Sequence, residues 1–406
     1  MKMLFDEDVL SEREKKNLII LDLIRKIGPT TRTDISRIIG LNIVTVTNYV
    51  NSYVKSGIVI EKGLDISTGG RRPALVELNK KWGYVLGVDI GPVNTIAVIS
   101  DLANNVISKI KKPRPKGFMD EVIAGSLEIV KELIDTSKID KALLKGIGMG
   151  ISGVIDERSG TIRDTDPTRG KTVGSYSSIK TAFGKEFRVP TFVGNDATVA
   201  AFGEKRLGLE EDVKDMIYVY SDVGCGIIIK GEIYCGAGGS AGEVQVSIDN
   251  PDLDKFNCWQ KGPCFLRPWG VDLGITEEAK KIVRTETSSK IYEKVKGKLE
   301  DITLDTVIDA AKEGDKVAQQ LIEDAGINLG IRVAYLINLF NPEIVVIGGG
   351  VEKAGELLLN PVKRTVRKLA FEESASIVKI IPSVLGENAV ALGAASLVVR
   401  EVFMKA

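Results

Sequence analysis

The sequence predicts an α/β chain in two parts, a small N-terminal winged helix-turn-helix and a much larger α/β body. Three observations predict it. Residues 12–57 carry helix-period apolar spacing broken by glycine turns, and two apolar runs near 58–60 and 74–78 flank a glycine-rich segment ending in two arginines. From Gly83 onward, apolar strands alternate with helical stretches.

The first helix is expected over about 12–27, where Leu18, Leu21, Leu23, Ile24 and Ile27 fall near a 3.6-residue period and Gly28-Pro29 ends the run. A short second helix, 33–39, leads to the tight turn Gly40-Leu41. Asn42 is the expected N-cap of a third helix, about 42–56, because its side-chain oxygen can accept from amides two or three residues on. Val46, Val50 and Val54 recur every four residues and are expected to bury. The opposite face carries Thr45, Thr47, Asn48 and Asn51, short donors and acceptors suited to the major groove, with Val44 able to meet a thymine methyl. Between the two strands, Ser67-Thr68-Gly69-Gly70-Arg71-Arg72 reads as a hairpin tip, placing the Arg71 and Arg72 guanidinium groups against phosphates or a narrow minor groove. Three helices followed by a basic hairpin is the order of a winged helix.

Charge separates this reading from a plain protein-docking module with a solvated helix face. Between residues 13 and 75, eleven Lys/Arg stand against five Asp/Glu, a net +6, whereas the whole chain holds 55 of each. The basic excess is local, as phosphate binding requires.

Composition bounds the rest. A length of 406 residues is material for two to three domains, and 44% apolar with 27% charged residues is ordinary for a globular protein with large cores. Four cysteines do not make a disulfide framework, so a reducing cytoplasm is expected. The opening MKMLFDEDVLSEREKK places acids where a signal peptide needs an apolar core, and no 18-residue apolar run directs the chain to a membrane. With no histidine, the usual general base and the commonest zinc ligand are both missing.

In the body, strands are expected at 84–90, 95–100, 146–151, 191–193, 216–220, 226–229, 344–347 and 378–381, and helices near 119–135, 304–313, 315–340 and 388–403. The expected domains are the winged helix at 1–80, one lobe at 81–197 completed by 388–406, and a second lobe at 198–387, with Asn79-Lys80-Lys81-Trp82 as linker. No tandem repeat or low-complexity tract is visible.

The motifs GGRRPALVELN (69–79), GVDIG (87–91), GNDATVAAFGE (194–204), GCGIIIKGEIYCG (224–236), AGE (241–243), LFNPEIVVIGGGV (339–351) and ALGAA (391–395) follow one another in order. Together they resemble the ROK family (repressors, open reading frames and kinases), over nearly the whole chain. The resemblance implies a two-lobed actin-like, ribonuclease H-like sugar-kinase fold. The N-terminal winged helix places the chain with the family's transcription factors, since its sugar kinases lack one.

Phosphoryl transfer needs a cradle of backbone amides, a magnesium-holding carboxylate and a base. Where the family's kinases read D-x-G-G-T, this chain has Asp89-Ile90-Gly91-Pro92-Val93, and proline offers no N–H. Where they read G-T-G-x-G, it has Asp222-Val223-Gly224-Cys225-Gly226, a carboxylate placed to repel phosphate. The nucleotide loops, with Gly348 and Gly349 as the third, are thus expected to be vestigial.

The sugar side is better kept. Asn195 and Asp196 follow a strand's carboxyl end, where ligands of open α/β sheets bind; a strand-terminal turn with a helix cap would use the same residue types. By resemblance Asn195, Asp196, Glu243, Ser152 and Gly153 line a sugar pocket in the interlobe cleft, with Gln245 where the family has a histidine. The family's zinc cysteines are reduced to Cys258 and Cys264, two thiolates short of a four-ligand site, so no metal or other cofactor is expected.

The expectation is therefore a sugar-responsive repressor, not an enzyme, binding near-palindromic operator DNA as a homodimer or homotetramer. A ROK sugar kinase with a DNA-binding arm, and a repressor whose cleft is vestigial, are the competing readings.

Overall fold

The computed structural model describes residues 10–64, 74–117, 119–156, 161–163, 178–209, 213–220, 224–237, 239–244 and 271–406. The chain divides into two units, Met1–Ile162 with Ser175–Asp196 and Val390–Ala406, and Arg163–Gly174 with Ala197–Ala389.

In the first unit, α1 (Glu12–Ile27) opens with a reciprocal cap. The Ser11 amide donates to Glu14 Oε2 at 2.7 Å and the Glu14 amide donates to Ser11 Oγ at 3.3 Å, so two amides with no helical partner are satisfied. After β1 (Thr30–Thr31), α2 (Arg32–Ile39) is capped by Thr31 and stops at Gly40, whose φ of 70° is left-handed and open to glycine. Asn42 caps α3 (Ile43–Ser56) as expected, its Oδ1 accepting from the Val44 amide at 2.8 Å. Strands β2 (Val59–Leu64) and β3 (Ala74–Leu78) pair antiparallel with Val59 opposite Leu78, and β1 adds to the other edge of β3. The wing-tip residues Arg71 and Arg72 lie outside the described residues.

Val46 and Val50 are fully buried, but Val54 is only half-buried and Tyr53 fills the third core position instead. The helix turns 100° per residue, so a strict four-residue repeat drifts off the buried stripe. The Tyr53 hydroxyl donates to Asn17 Oδ1 at 2.7 Å, and Asn17 Nδ2 donates to the carbonyls of Met404 at 3.1 Å and Ala406 at 2.7 Å. The segment expected as a linker is pinned: Asn79 Nδ2 donates to Gly57 O, and Trp82 Nε1 to Ser56 O, both at 2.9 Å.

The body of this unit runs β4 (Tyr84–Ile90), β5 (Asn94–Asp101), β6 (Val106–Pro113), α4 (Met119–Ser137), β7 (Leu144–Ile151), a short pair β8 (Val154–Asp156) and β9 (Thr161–Arg163), α5 (Ile179–Phe187) and β10 (Thr191–Asn195). The main sheet has the order β10-β7-β4-β5-β6, with β4, β7 and β10 parallel and β4, β5 and β6 antiparallel. One face packs on the C-terminal helix (Ala389–Met404). Contact is close enough that a Cβ on Gly87 would lie 1.9 Å from Ala391 O, and one on Gly148 2.0 Å from Ala394 O. Ala391, Ala395, Val398 and Phe403 of that helix join Val85 and Val98 of the sheet and Ile20, Ile24, Val50 and Tyr53 of the winged helix in one continuous core.

The second unit carries α6 (Asp196–Gly203, from Ala197), β11 (Met216–Tyr220), β12 (Cys225–Ile229), β13 (Glu232–Ile233), α7 (Ile275–Ile282), α8 (Lys290–Lys294) and α9 (Leu304–Lys312). It continues with α10 (Lys316–Phe340), β14 (Ile344–Gly348), α11 (Glu356–Leu369), α12 (Glu372–Ile377) and β15 (Lys379–Pro382). Its sheet order, β13-β12-β11-β14-β15, matches that of the first when each is counted in chain order. The fold repeats where the sequence does not.

Candidate DNA-reading face and ligand cluster

On the reader, Val44, Asn48 and Asn51 are spaced four and three apart, so they share one face of α3, and all three are exposed. Val44 is 63% exposed, a large cost for an apolar side chain left in water, while Thr45 and Thr47 are half-buried at the margins of that face. Asn51 does not stand alone. Arg32 Nη2 donates to its Oδ1 at 3.0 Å, a contact that spacing along the sequence does not reveal.

At the carboxyl end of the first body sheet, Ser152 Oγ donates to Asp196 Oδ2 at 2.5 Å, and Asn195 Nδ2 donates to the Gly153 carbonyl at 3.2 Å. Parallel pairing sets this up: Asn195 at the end of β10 lies opposite Ile151, so the Ser152-Gly153 turn begins where β10 passes into α6. Four of the six residues expected around a sugar thus meet in one cluster. Of the other two, Glu243 belongs to the second unit, where it bridges to Gly224, and Gln245 lies outside the described residues.

Asp89 ends up in the same neighbourhood, 4% exposed, with Oδ1 unpartnered. Burial, reinforced by the nearby Asp196 carboxylate, holds its carboxyl well above the usual carboxylate range, against the opposing pull of the Arg114 guanidinium. Arg114 was not among the expected site residues. Its Nη1 donates to the carbonyls of Gly91 at 2.9 Å and Ile90 at 3.3 Å, and its amide donates to Val93 O at 2.9 Å. The loop it holds is the first nucleotide loop. There the Gly91 amide is already spent on Asn94 O at 3.0 Å, and Pro92 has no N–H to give.

In the second unit the Cys225 amide donates to Gly242 O at 2.9 Å, and burial beside Glu243 pushes the Cys225 thiol up to about 12. Gly226 is required by packing, since its Cβ would meet Ala197 O at 2.3 Å. Past Gly348 and Gly349, the Gly350 amide donates to Glu352 Oε2 at 2.7 Å, so one amide beside the third loop is also taken by the chain itself. Asp222, Cys258 and Cys264 lie outside the described residues. Among the described residues no group of three or more His, Cys, Asp or Glu could hold a metal, and no helix is long and apolar enough to cross a membrane.

A model of the ROK family matches residues 85–401. The chain belongs to the ROK family. It is similar to the xylose repressor of Caldicellulosiruptor bescii, 32% identical over 398 residues and covering 96% of each chain. Among solved structures it is similar to a ROK family transcriptional regulator described as a homologue of the E. coli MLC protein, with a TM-score of 0.71, 21% identity and 97% of each chain covered. It is also similar to a ROK family glucokinase from Streptomyces griseus in complex with glucose and AMPPNP, with a TM-score of 0.65 and 25% identity, covering 78% of this chain and 99% of that one. The body therefore has the actin-like, ribonuclease H-like fold of the ROK sugar kinases, and the winged helix precedes it, as in the regulators of the family.

Proposed function

We propose that this ROK protein is a sugar-responsive repressor that binds operator DNA through α3 and the wing, and senses a sugar at the Ser152, Gly153, Asn195 and Asp196 cluster. The single observation that carries the reading is the pairing of a helix-turn-helix reader with two expected nucleotide loops that each bond a glycine amide to the chain itself. Gly91 donates to Asn94 O and Gly350 to Glu352, so two amides that could face a phosphate are taken up, while the Ser152, Gly153, Asn195 and Asp196 cluster is in place. On this reading the protein is not a kinase. By family resemblance Glu243 and Gln245 supply further sugar contacts. The relative named a xylose repressor makes an aldopentose the first sugar to test.

Two copies of the reader on half-sites about one helical turn apart imply a near-palindromic operator and a homodimer or homotetramer, working in the cytoplasm. Sugar shifts DNA affinity only through a difference in its own affinity for the two states, and the coupling is reciprocal. The deciding experiment titrates xylose, glucose and N-acetylglucosamine against a fluorescent operator duplex. At least one sugar is expected to change operator affinity by about five- to 150-fold. If none alters affinity and calorimetry detects no sugar binding, the cluster is vestigial and the sensor reading fails.

A further inference from the structure

Arg32 is the first residue of α2, yet its side chain leaves that helix and engages one other helix and a strand. Nη2 donates to Asn51 Oδ1 on α3 at 3.0 Å and to Glu61 Oε1 on β2 at 2.8 Å. One guanidinium therefore joins the recognition helix to the first wing strand. The Glu61 ion pair balances its charge, and its side chain is only 18% exposed.

A guanidinium has five donors and no acceptor, so the Asn51 atom facing it must be the oxygen. The amide nitrogen, with both its hydrogens, then turns away from Arg32, on a residue exposed along the same face as Val44 and Asn48. An unrestrained asparagine reads adenine with both atoms, accepting from N6 and donating to N7. One whose oxygen already accepts from Arg32 keeps a single lone pair for a base while both amide hydrogens stay unspent in that bond, so the balance of its contacts tilts toward donation. Donors suit guanine O6 and N7 or thymine O4, and they oppose the amino groups of adenine and cytosine.

We propose that Arg32 is a positioning residue for operator readout: it holds Asn51 as a donor-first reader and fixes α3 relative to the wing through Glu61. Its role is therefore not that of a phosphate clamp, since its charge is already met. The inference rests on α3 being the recognition helix, and the test separates the two claims.

Selection from a random-sequence duplex library by wild type, Arg32→Ala, Asn51→Ala, the double variant and Asn48→Ala gives the base preference at each operator position. Salt dependence on the wild-type winner is measured alongside. At one position per half-site, wild type is expected to prefer guanine or thymine, and Arg32→Ala to weaken that preference about tenfold. The salt slope should be unchanged, and adding Arg32→Ala to Asn51→Ala should change that position no further. Should Arg32→Ala fold poorly, Glu61→Gln loosens the second anchor and must shift preference at the same position. Equal loss on cognate and random DNA with a shallower salt slope would make Arg32 a phosphate contact and overturn the proposal. So would an unchanged preference profile. If Asn48→Ala and Asn51→Ala both leave the profile intact, the recognition-helix reading itself falls.

Discussion

On the proposed reading, sensing turns on Asp196, which is held by Ser152 at the sheet's carboxyl end, beside a second buried carboxyl. Asp196→Ala is expected to abolish the sugar response while leaving operator affinity without sugar within about twofold, as for sites that share no partners. Fluorescence anisotropy with and without sugar reads both, and a retained response would move the sensor elsewhere. Asp89 gives a pH prediction. Its folded pKa lies above the unfolded value, so the folded chain holds a proton that the unfolded chain gives up, and stability falls as pH rises through that interval. Asp89→Asn removes the titration. The variant should be more stable than wild type at neutral pH, by an amount that grows by about 1.4 kcal/mol per pH unit across the interval and vanishes near pH 4. Urea midpoints across pH check this; an equal gain at every pH would point to packing instead. The place of Asp196 just past a strand end was legible in the sequence, since Gly194-Asn195-Asp196 follows an apolar strand, whereas its sugar role rests on the family resemblance. Arg114 and Arg32 were not. Arg32 finds its partners 19 and 29 residues away, and only the fold brings those distances together.

Among the elements, the three-helix reader carries the sharpest tests. Thr45→Ala or Asn48→Ala should cost about 1–3 kcal/mol on cognate DNA if each removes a good base-edge contact, and much less on random DNA. Equal losses on both would make these residues backbone contacts. Arg71→Ala and Arg72→Ala should each lower the salt slope by about one unit. Binding isotherms over a salt series decide, and an unchanged slope in both variants removes the wing tip from the interface. The reader's helices were legible because caps and glycine stops bracket them. Strand β6 was not, since its exposed face carries Lys109 and Lys111 and it ends at Pro113, a pattern that reads as a basic loop yet serves an outer strand well, where charge discourages stray pairing. Helix α11 was hidden by Pro361, which sits inside it and is buried, offsetting the lost backbone donor with packing.

For the molecule as a whole, the reading as a non-enzyme makes a plain prediction: wild-type protein with magnesium, ATP and each sugar should show no sugar-dependent ATP consumption. Turnover on the order of 1 per second, ordinary for a kinase, would overturn it. The fold class was readable from alternating strands and helices, but the repeated sheet order was not, because a topology is kept by any residues that bury well, and the two halves use different ones. The Asn17 amide, bonded to the carbonyls of Met404 and Ala406, and the core it shares with Phe403 carry one more consequence, for synthesis. The DNA reader is translated first, yet its packing partners arrive some 390 residues later, as the separations of 387 and 389 residues in those two bonds record. A nascent chain emerging from the ribosome thus carries an incomplete reader until residues 389–406 have cleared the exit tunnel. On the proposed reading, chains that stop short of residue 389 should be poor competitors for the operator, and so unable to silence a gene.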